Sequence, residues 1–226
     1  MKRERLNIRW ALQWLGGLWV LLASVSLWAL IALNSIFIYR LVINFSDLTS
    51  VTGLSAGSLM ENYRQIVAYL QLPWVQELRM PDFYMSETGR IHFEEVKVIF
   101  QALYLILILF IVTWVIGVKK EVEVLSIFNK GANLIFTFFG LIGMGIMVDF
   151  SQAFVWFHRL IFNNDYWIFN AVTDPVILAL PEELFMILGV MVIVILFSQS
   201  LLIKYFYFKN KRKSPLLGNT HLASTK

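Results

Sequence analysis

The stretch VIFQALYLILILFIVTWVIGV, residues 98–118, runs for twenty-one residues without a charged side chain. About 20 apolar residues cross the hydrocarbon core of a bilayer as a helix, the structure that satisfies its own backbone polar groups where water is absent, so this stretch reads as a membrane span. Working outward from it, three more apolar runs of similar length appear at about 15–38, 131–150 and 184–203. The chain has 226 residues, 58% of them hydrophobic and 15% charged, with a mean hydropathy of +0.69. That is too apolar for a soluble domain of this length. The expected fold class is an all-α membrane protein of four transmembrane helices, a single integral membrane domain over residues 1–226.

Charge sets the expected orientation. The first span follows a basic start, Lys2, Arg3, Arg5 and Arg9, like a signal peptide, but its apolar run is too long and lacks a small-residue cleavage site, so it reads as a retained helix. Taking the amino terminus, the 119–130 loop and the carboxyl tail as one side, that side holds 13 Lys and Arg against 6 on the other. The positive-inside rule then places both termini in the cytoplasm, with a cytoplasmic tail over 204–226 and extracellular segments at about 40–97 and 151–183. Acidic residues run the other way, 3 against 12, which describes the outer surface without bearing on topology. Basic residues gathered at the termini of a membrane chain argue orientation, and nucleic acid is not an expected partner. With no cysteine in the chain, a disulfide framework, a thiolate nucleophile and Cys-ligated metal are excluded.

The 40–97 segment is too long for a turn and too short for an independent domain, so a small extracellular cap is expected. Within it, Ser58 and Glu61 have capping-box spacing before an amphipathic helix over 59–72 that ends near Pro73. Residues 81–93 alternate loosely around Glu87-Thr88-Gly89, which reads as a small hairpin. In the second outer segment, Asp174-Pro175 resembles a helix N-cap with proline at the first helical position, and Pro181-Glu182-Glu183 suits the start of the fourth span. Gly140, Gly143 and Gly145 in the third span read as sites of close helix approach, and Asn34 and Gln101 as interhelical hydrogen-bonders. The tail from Lys209 onward reads as unstructured.

Two of the three histidines, His92 and His158, fall on the same predicted side and at the same predicted depth; the third, His221, lies in the polar tail. Either alone is as readily a polar residue at a helix entrance. Together they point to proton transfer at a lipid interface, because imidazole titrates nearest neutrality. Glu95, three positions from His92, would share its helix face and could orient that ring, or could simply favour a helix N-terminus. His92, Glu95, His158 and Asp165 could in principle converge on a metal, but no H-E-x-x-H spacing is present, and neither a metal nor a cofactor is expected. There is no G-x-S-x-G, and Ser55-Ala56-Gly57-Ser58 is explained by turn and capping duties. No span carries the mid-membrane charge series of a proton pump.

His92-Phe93-Glu94-Glu95-Val96-Lys97 resembles an H-x-x-[DE]-V-K motif, and Phe157-His158, Phe162, Asn164-Asp165, Trp167, Asp174 and Pro181 resemble a second motif of the same family, the bacterial lipoprotein intramolecular transacylases, four-span proteins of Gram-positive bacteria. Ile168-Phe169-Asn170 departs from the pattern, where a more acidic turn is expected. The resemblance implies transfer of the sn-2 acyl chain of a diacylglyceryl-cysteine to the α-amino group of the same cysteine, giving a lyso-form lipoprotein. It implies His92 and His158 as the catalytic pair, and diacylated lipoproteins and membrane lipid of the outer leaflet as partners. An amine that titrates near neutrality is its own nucleophile once a histidine takes its proton, so no catalytic serine or cysteine is needed. His92 is the favoured base. Supporting or oxyanion-binding roles are expected among Glu95, Arg159, Asn163, Asn164, Asp165, Tyr166 and Asp174. The rival readings are a metal-dependent membrane hydrolase and a non-enzymatic scaffold or transporter component.

Overall fold

The computed structural model describes residues 2–118 and 124–220, and His221 and residues 119–123 of the expected cytoplasmic loop lie outside them. The described residues are helical, without strands. Helix α1 (Lys2–Leu33) is followed by the short α2 (Ile36–Phe45) and α3 (Leu48–Thr52), then α4 (Ala56–Gln71), the long α5 (Glu87–Val118), α6 (Val124–Val148), α7 (Phe150–Ile161), a 3₁₀ turn (Pro175–Ala179) and α8 (Glu182–Thr220). Helices α1, α5, α6 and α8 are the four long and apolar enough to cross a membrane.

Helix α1 is the axis of the bundle and packs against α5, α6 and α8, while α6 and α8 pack on each other. Glycines set the closest seam, though not the expected ones. A Cβ on Gly17 would lie 2.7 Å from Lys130 Cβ and 2.9 Å from the Gly131 nitrogen, and one on Gly131 would lie 2.7 Å from Val20. These positions let the α1 and α6 backbones meet, the usual role of small residues where apolar burial cannot drive helix association. Gly140 and Gly145 have nothing within 4 Å of a built Cβ, and Gly143 only Ile193 at 4.0 Å. The expectation for those three is thus corrected: they do not mark a close helix contact. Trp28 Nε1 donates to Gln199 Oε1 (2.5 Å) and Gln199 Nε2 to Ser24 Oγ (2.7 Å), tying α1 to α8 inside the bundle.

The first span ends at Leu33, five residues short of the sequence reading. Ser35 Oγ donates back to the Ile31 carbonyl and Asn34 Nδ2 to that of Leu30. Such local bonds compete with helix continuation and mark the break into α2. Asn34 also bridges helices as expected, donating to Gln71 Oε1 (2.8 Å). The cap is helical: α2, α3, α4 and the 3₁₀ turn enclose a core of Tyr39, Val42, Leu59, Tyr63, Ile66, Leu70 and Val176 that continues onto Phe93 of α5 and Leu184 of α8. Tyr39 stacks on Tyr63 at 4.1 Å and its hydroxyl donates to the Ala179 carbonyl.

Four local expectations change. Helix α4 is capped by Ser55, whose side chain accepts from the Ser58 amide (3.1 Å); Ser58 is already helical, and Glu61 pairs along the helix with Arg64. No hairpin forms over 81–93, because Ser86 Oγ accepts from the Gly89 amide and starts α5 at Glu87. Pro175 does open a helical turn, but the Asp174 side chain does not cap it. Helix α8 continues past Lys209 to Thr220, where an unstructured tail is expected from composition.

Candidate active site

Each histidine is carried by a helix whose start is fixed by a side chain. On α5 the Ser86 cap is itself held from far along the chain: Asp174 Oδ1 accepts from both the amide and the hydroxyl of Ser86 (2.8 Å each), and Asp174 Oδ2 accepts from Thr173 Oγ1 (2.7 Å). Asp174 is buried, and these three donors hold its carboxyl below the ordinary carboxylate range even though burial pushes the other way. Gly89 sits against this carboxylate so closely that a Cβ would fall 2.3 Å from Oδ1. His92 follows one turn later, on the face turned inward.

On the other side of the site, α6 ends at Val148 and the chain turns through an extended Asp149, whose side chain accepts from the Gln152 amide (3.0 Å) and caps α7. Helix α7 is strongly one-sided. Trp156, Phe157, Leu160 and Ile161 are exposed, while His158 is buried. Ser151 Oγ hydrogen-bonds the Glu182 carboxylate, and Phe154 packs on Phe185 at 5.4 Å, seating α7 on the start of α8.

The two rings face each other, with centroids 6.0 Å apart and each residue 8% exposed. Aromatic side chains enclose them. Phe162 lies 4.7 Å from His92 and 5.7 Å from His158, Phe169 5.6 Å from His92, and Phe154 and Trp167 4.1 and 4.9 Å from His158. His158 Nδ1 is 2.7 Å from the Phe154 carbonyl, which can only accept; Nδ1 therefore carries the hydrogen, and Nε2 keeps its lone pair in the neutral ring. Burial among the aromatics pushes the His158 pKa down, against the opposing pull of that carbonyl contact. His158 is accordingly neutral at neutral pH.

His92 Nδ1 faces Glu95 Oε2 at 4.0 Å, too long for a hydrogen bond. The other Glu95 oxygen accepts from Asn164 Nδ2 (2.8 Å). Asn164 is fixed in turn: its Oδ1 accepts from the Tyr166 amide and its carbonyl from Trp167 Nε1. The early start of α5 that the Glu95 role requires is present, and the order Asn164, Glu95, His92 joins the two chain segments beside the ring.

Of the other expected site residues, Arg159, Asn163, Asp165 and Tyr166 are exposed on α7 and the loop after it, and Asp174 works as the tether of α5. Among the described residues no group of three or more His, Cys, Asp or Glu side chains is disposed to hold a metal ion. Sequence reasoning misses the aromatic wall of Phe154 and Phe169 and the Ser86 contact of Asp174. Phe154 has a usable signal, lying four residues before His158 and hence on its helix face; Phe169 and Ser86 have none.

Fold and site together define a multi-pass membrane protein with a buried histidine pair where the cap meets the bundle. Residues 14–185 match the family described as lipoprotein intramolecular transacylase Lit, and the chain belongs to that family. It is similar to the solved structure of the membrane integral lipoprotein intramolecular transacylase Lit from Bacillus cereus, with 27% identity and a TM-score of 0.84 over 93% of this chain and 99% of that one. Two further structures of the Bacillus cereus protein carry a mutated histidine. The one with arginine in its place gives 29% identity and a TM-score of 0.71, covering 95% and 100% of the two chains; the one with alanine gives 26% and 0.79, covering 95% and 98%. No curated protein sequence is a significant match. The family makes the chain an acyltransferase that acts on lipoproteins.

Proposed function

We propose that this acyltransferase moves the sn-2 acyl chain of a diacylglyceryl-cysteine to the α-amino group of the same cysteine, leaving a lyso-form lipoprotein, and that His92 and His158 carry the protons. The observation that supports it is the pair of buried rings 6.0 Å apart, one of them fixed with a free lone pair. The amine nitrogen attacks the ester carbonyl, the N–C bond forms, and the bond from that carbon to the glycerol oxygen breaks. The proton lost by nitrogen is the one the oxygen needs, so the pair takes it at one atom and returns it at the other with no net uptake. In this reading His158, not the His92 favoured from sequence, takes the amine proton, since its tautomer leaves a lone pair on Nε2 and its lowered pKa keeps the ring neutral. General acid or base help of this kind is worth about 10² to 10⁴ in rate, and holding both reacting groups on one residue supplies proximity.

Glu95 is read as the residue that positions His92, held by Asn164. Supporting roles toward the oxyanion or the lipoprotein chain are assigned in this reading to the exposed Arg159, Asn163, Asp165 and Tyr166, on α7 and the loop after it. The excess of basic residues on the side of the termini puts the pair at the extracellular face of the cell membrane, where diacylated lipoproteins of the outer leaflet reach it without crossing.

The test is purified protein with a synthetic diacylglyceryl-cysteine lipopeptide, followed by mass spectrometry of the amino terminus. The expected product has unchanged mass and an amide-linked acyl group. His92→Asn and His158→Asn should both abolish its accumulation, and full activity in either variant overturns the reading. Release of free fatty acid in place of the amide would make the protein a hydrolase.

A further inference from the structure

A groove of about 470 Å³ lies where α1 breaks into α2 and faces α5. Its walls are apolar, chiefly Leu27, Leu30, Ile31, Phe37 and Leu107. Its polar edge is a closed cluster in which Gln71 Oε1 accepts from Asn34 Nδ2 (2.8 Å) and from the Tyr104 hydroxyl (2.7 Å), so three helices meet there with their hydrogen bonds satisfied. Leu27, Ile31 and Phe37 are 41%, 40% and 64% exposed, so the groove is open to the outside where the first span ends. The groove is shallow and largely open, and its lining suits one side of a hydrocarbon chain.

The groove has a fixed relation to the histidines. Leu107 stands fifteen residues along α5 from His92, about 22 Å at 1.5 Å per residue and within about 60° of the same helix face. Val96 and Leu103 fall on that face between them. Val96 packs against the cap core, and the distance along α5 from the histidine pair to the groove is about that of one long acyl chain.

We propose that the groove holds the distal part of an acyl chain of the lipoprotein substrate and sets the chain length the enzyme prefers. This rests on the transacylase reading. Remote binding of this kind is realised at the reacting carbon, so chains too short to enter the groove lose turnover.

The experiment compares lipopeptides bearing two palmitoyl-length chains with lipopeptides bearing two octanoyl-length chains. Wild type should prefer the long chains. Leu107→Trp and Ile31→Trp fill the groove and should cut kcat/KM for the long-chain substrate by roughly tenfold, the equivalent of expelling about two methylenes, while leaving the short-chain substrate unchanged. Ile108→Trp makes the same change one residue away on the exposed face of α5 and should alter neither. A second measurement needs no variant: a substrate with a photoactivatable diazirine at the chain end should label the wild-type protein within 27–37 or 103–107. Equal losses for both chain lengths, no loss in either groove variant, or labelling confined to α7 and the exposed face of α5 each overturn the groove assignment. Wild-type protein that forms no amide product with either substrate overturns the transacylase reading instead.

Discussion

The two helices that meet at the site hold their histidines by opposite means. On α7, the hydrogen bonds that start the helix and orient the His158 ring are local: Asp149 caps the helix through the Gln152 amide, and the Phe154 carbonyl one turn earlier meets Nδ1. On α5, what fixes the turns on either side of His92 comes from far away in sequence, with Asp174 gripping Ser86 across 88 residues and Asn164 reaching Glu95 across 69, while Glu95 itself stays 4.0 Å from the ring. Both long-range contacts originate in the loop that follows α7. That loop is thus the part that registers one helix against the other: its Asn164 and Asp174 hold α5, and its Phe162 and Trp167 pack on the His158 ring, so damage to the polar pair should fall first on His92.

The largest effects erase the comparison by removing a ring. His92→Asn and His158→Asn should each lower kcat by about 10² to 10⁴, and the double variant should be scarcely worse than either single one if the rings move one proton as a unit. Losses that multiply would show two independent roles. Single-turnover amide formation measures this without interference from product release.

Next is the Asn164–Glu95 arm beside His92, to which the proposed mechanism gives a positioning role. Glu95→Gln and Asn164→Ala should lower kcat by about 10- to 100-fold, the size of effect expected of groups that orient a reacting side chain, and leave KM within a factor of about two. Glu95→Asp should recover part of the loss. A change in KM alone would make Glu95 a substrate contact and end the positioning argument.

Gly89→Ala tests the tether. Alanine in a helix interior is worth up to about 1 kcal/mol over glycine, but at this position the added Cβ would lie 2.3 Å from the Asp174 carboxylate. Overpacking of that kind costs about 1–3 kcal/mol, so the net effect should be destabilising. In an Asp174→Ala background the clash is gone, and the same substitution should become neutral or stabilising. Thermal unfolding in detergent gives the sign, and an unchanged sign would remove the tether from the account. Acid should weaken the same contact. A carboxylate whose folded pKa is depressed contributes stability above its ordinary value of 3.8 and loses it as pH falls through the lower folded value.

The legibility of the chain divides along the same line. Four spans are readable because hydrocarbon imposes a length and a composition that any window of sequence displays. The histidine pair is visible because few histidines exist and two share a side. Local capping is legible in kind and misplaced in detail: Ser58 carries the capping-box spacing, yet Ser55, three residues earlier, sits at the helix start, since both have the chemistry and only the chain path decides. The third-span glycines show a different limit. Gly140, Gly143 and Gly145 have the composition of a helix contact, yet the contact lies at Gly17 and Gly131, because a small residue permits close approach without causing it. The hairpin expected near Glu87-Thr88-Gly89 fails for a long-range reason, the Asp174 carboxylate that holds Ser86 as a cap. Nothing near residue 86 announces a partner at 174.

The smallest effects belong to α7, where the supports are local and few. Asp149→Ala removes one cap and should cost about 1 kcal/mol, with Asp149→Asn nearly neutral because the amide oxygen still accepts from Gln152. The pH response of this arm has a definite direction. An unfolded histidine binds a proton near pH 6.5, whereas folded His158 does so at a lower pH because its charged form is poorly solvated among Phe154, Phe162 and Trp167. Between those two values the unfolded chain binds more protons, so the contribution of His158 to stability is complete above about pH 6.5 and declines as the pH drops below it. The same ring keeps its lone pair to a lower pH than an ordinary imidazole does, which sets the acid limb it contributes to the rate below the usual imidazole value. His158→Gln should remove the part of the unfolding-midpoint slope that arises just below about pH 6.5, while Asp149→Ala should lower the midpoint by a similar amount on either side of pH 6.5. If the two variants shift the curve in the same way, the ring and the cap are not separable supports, and the local account of α7 fails.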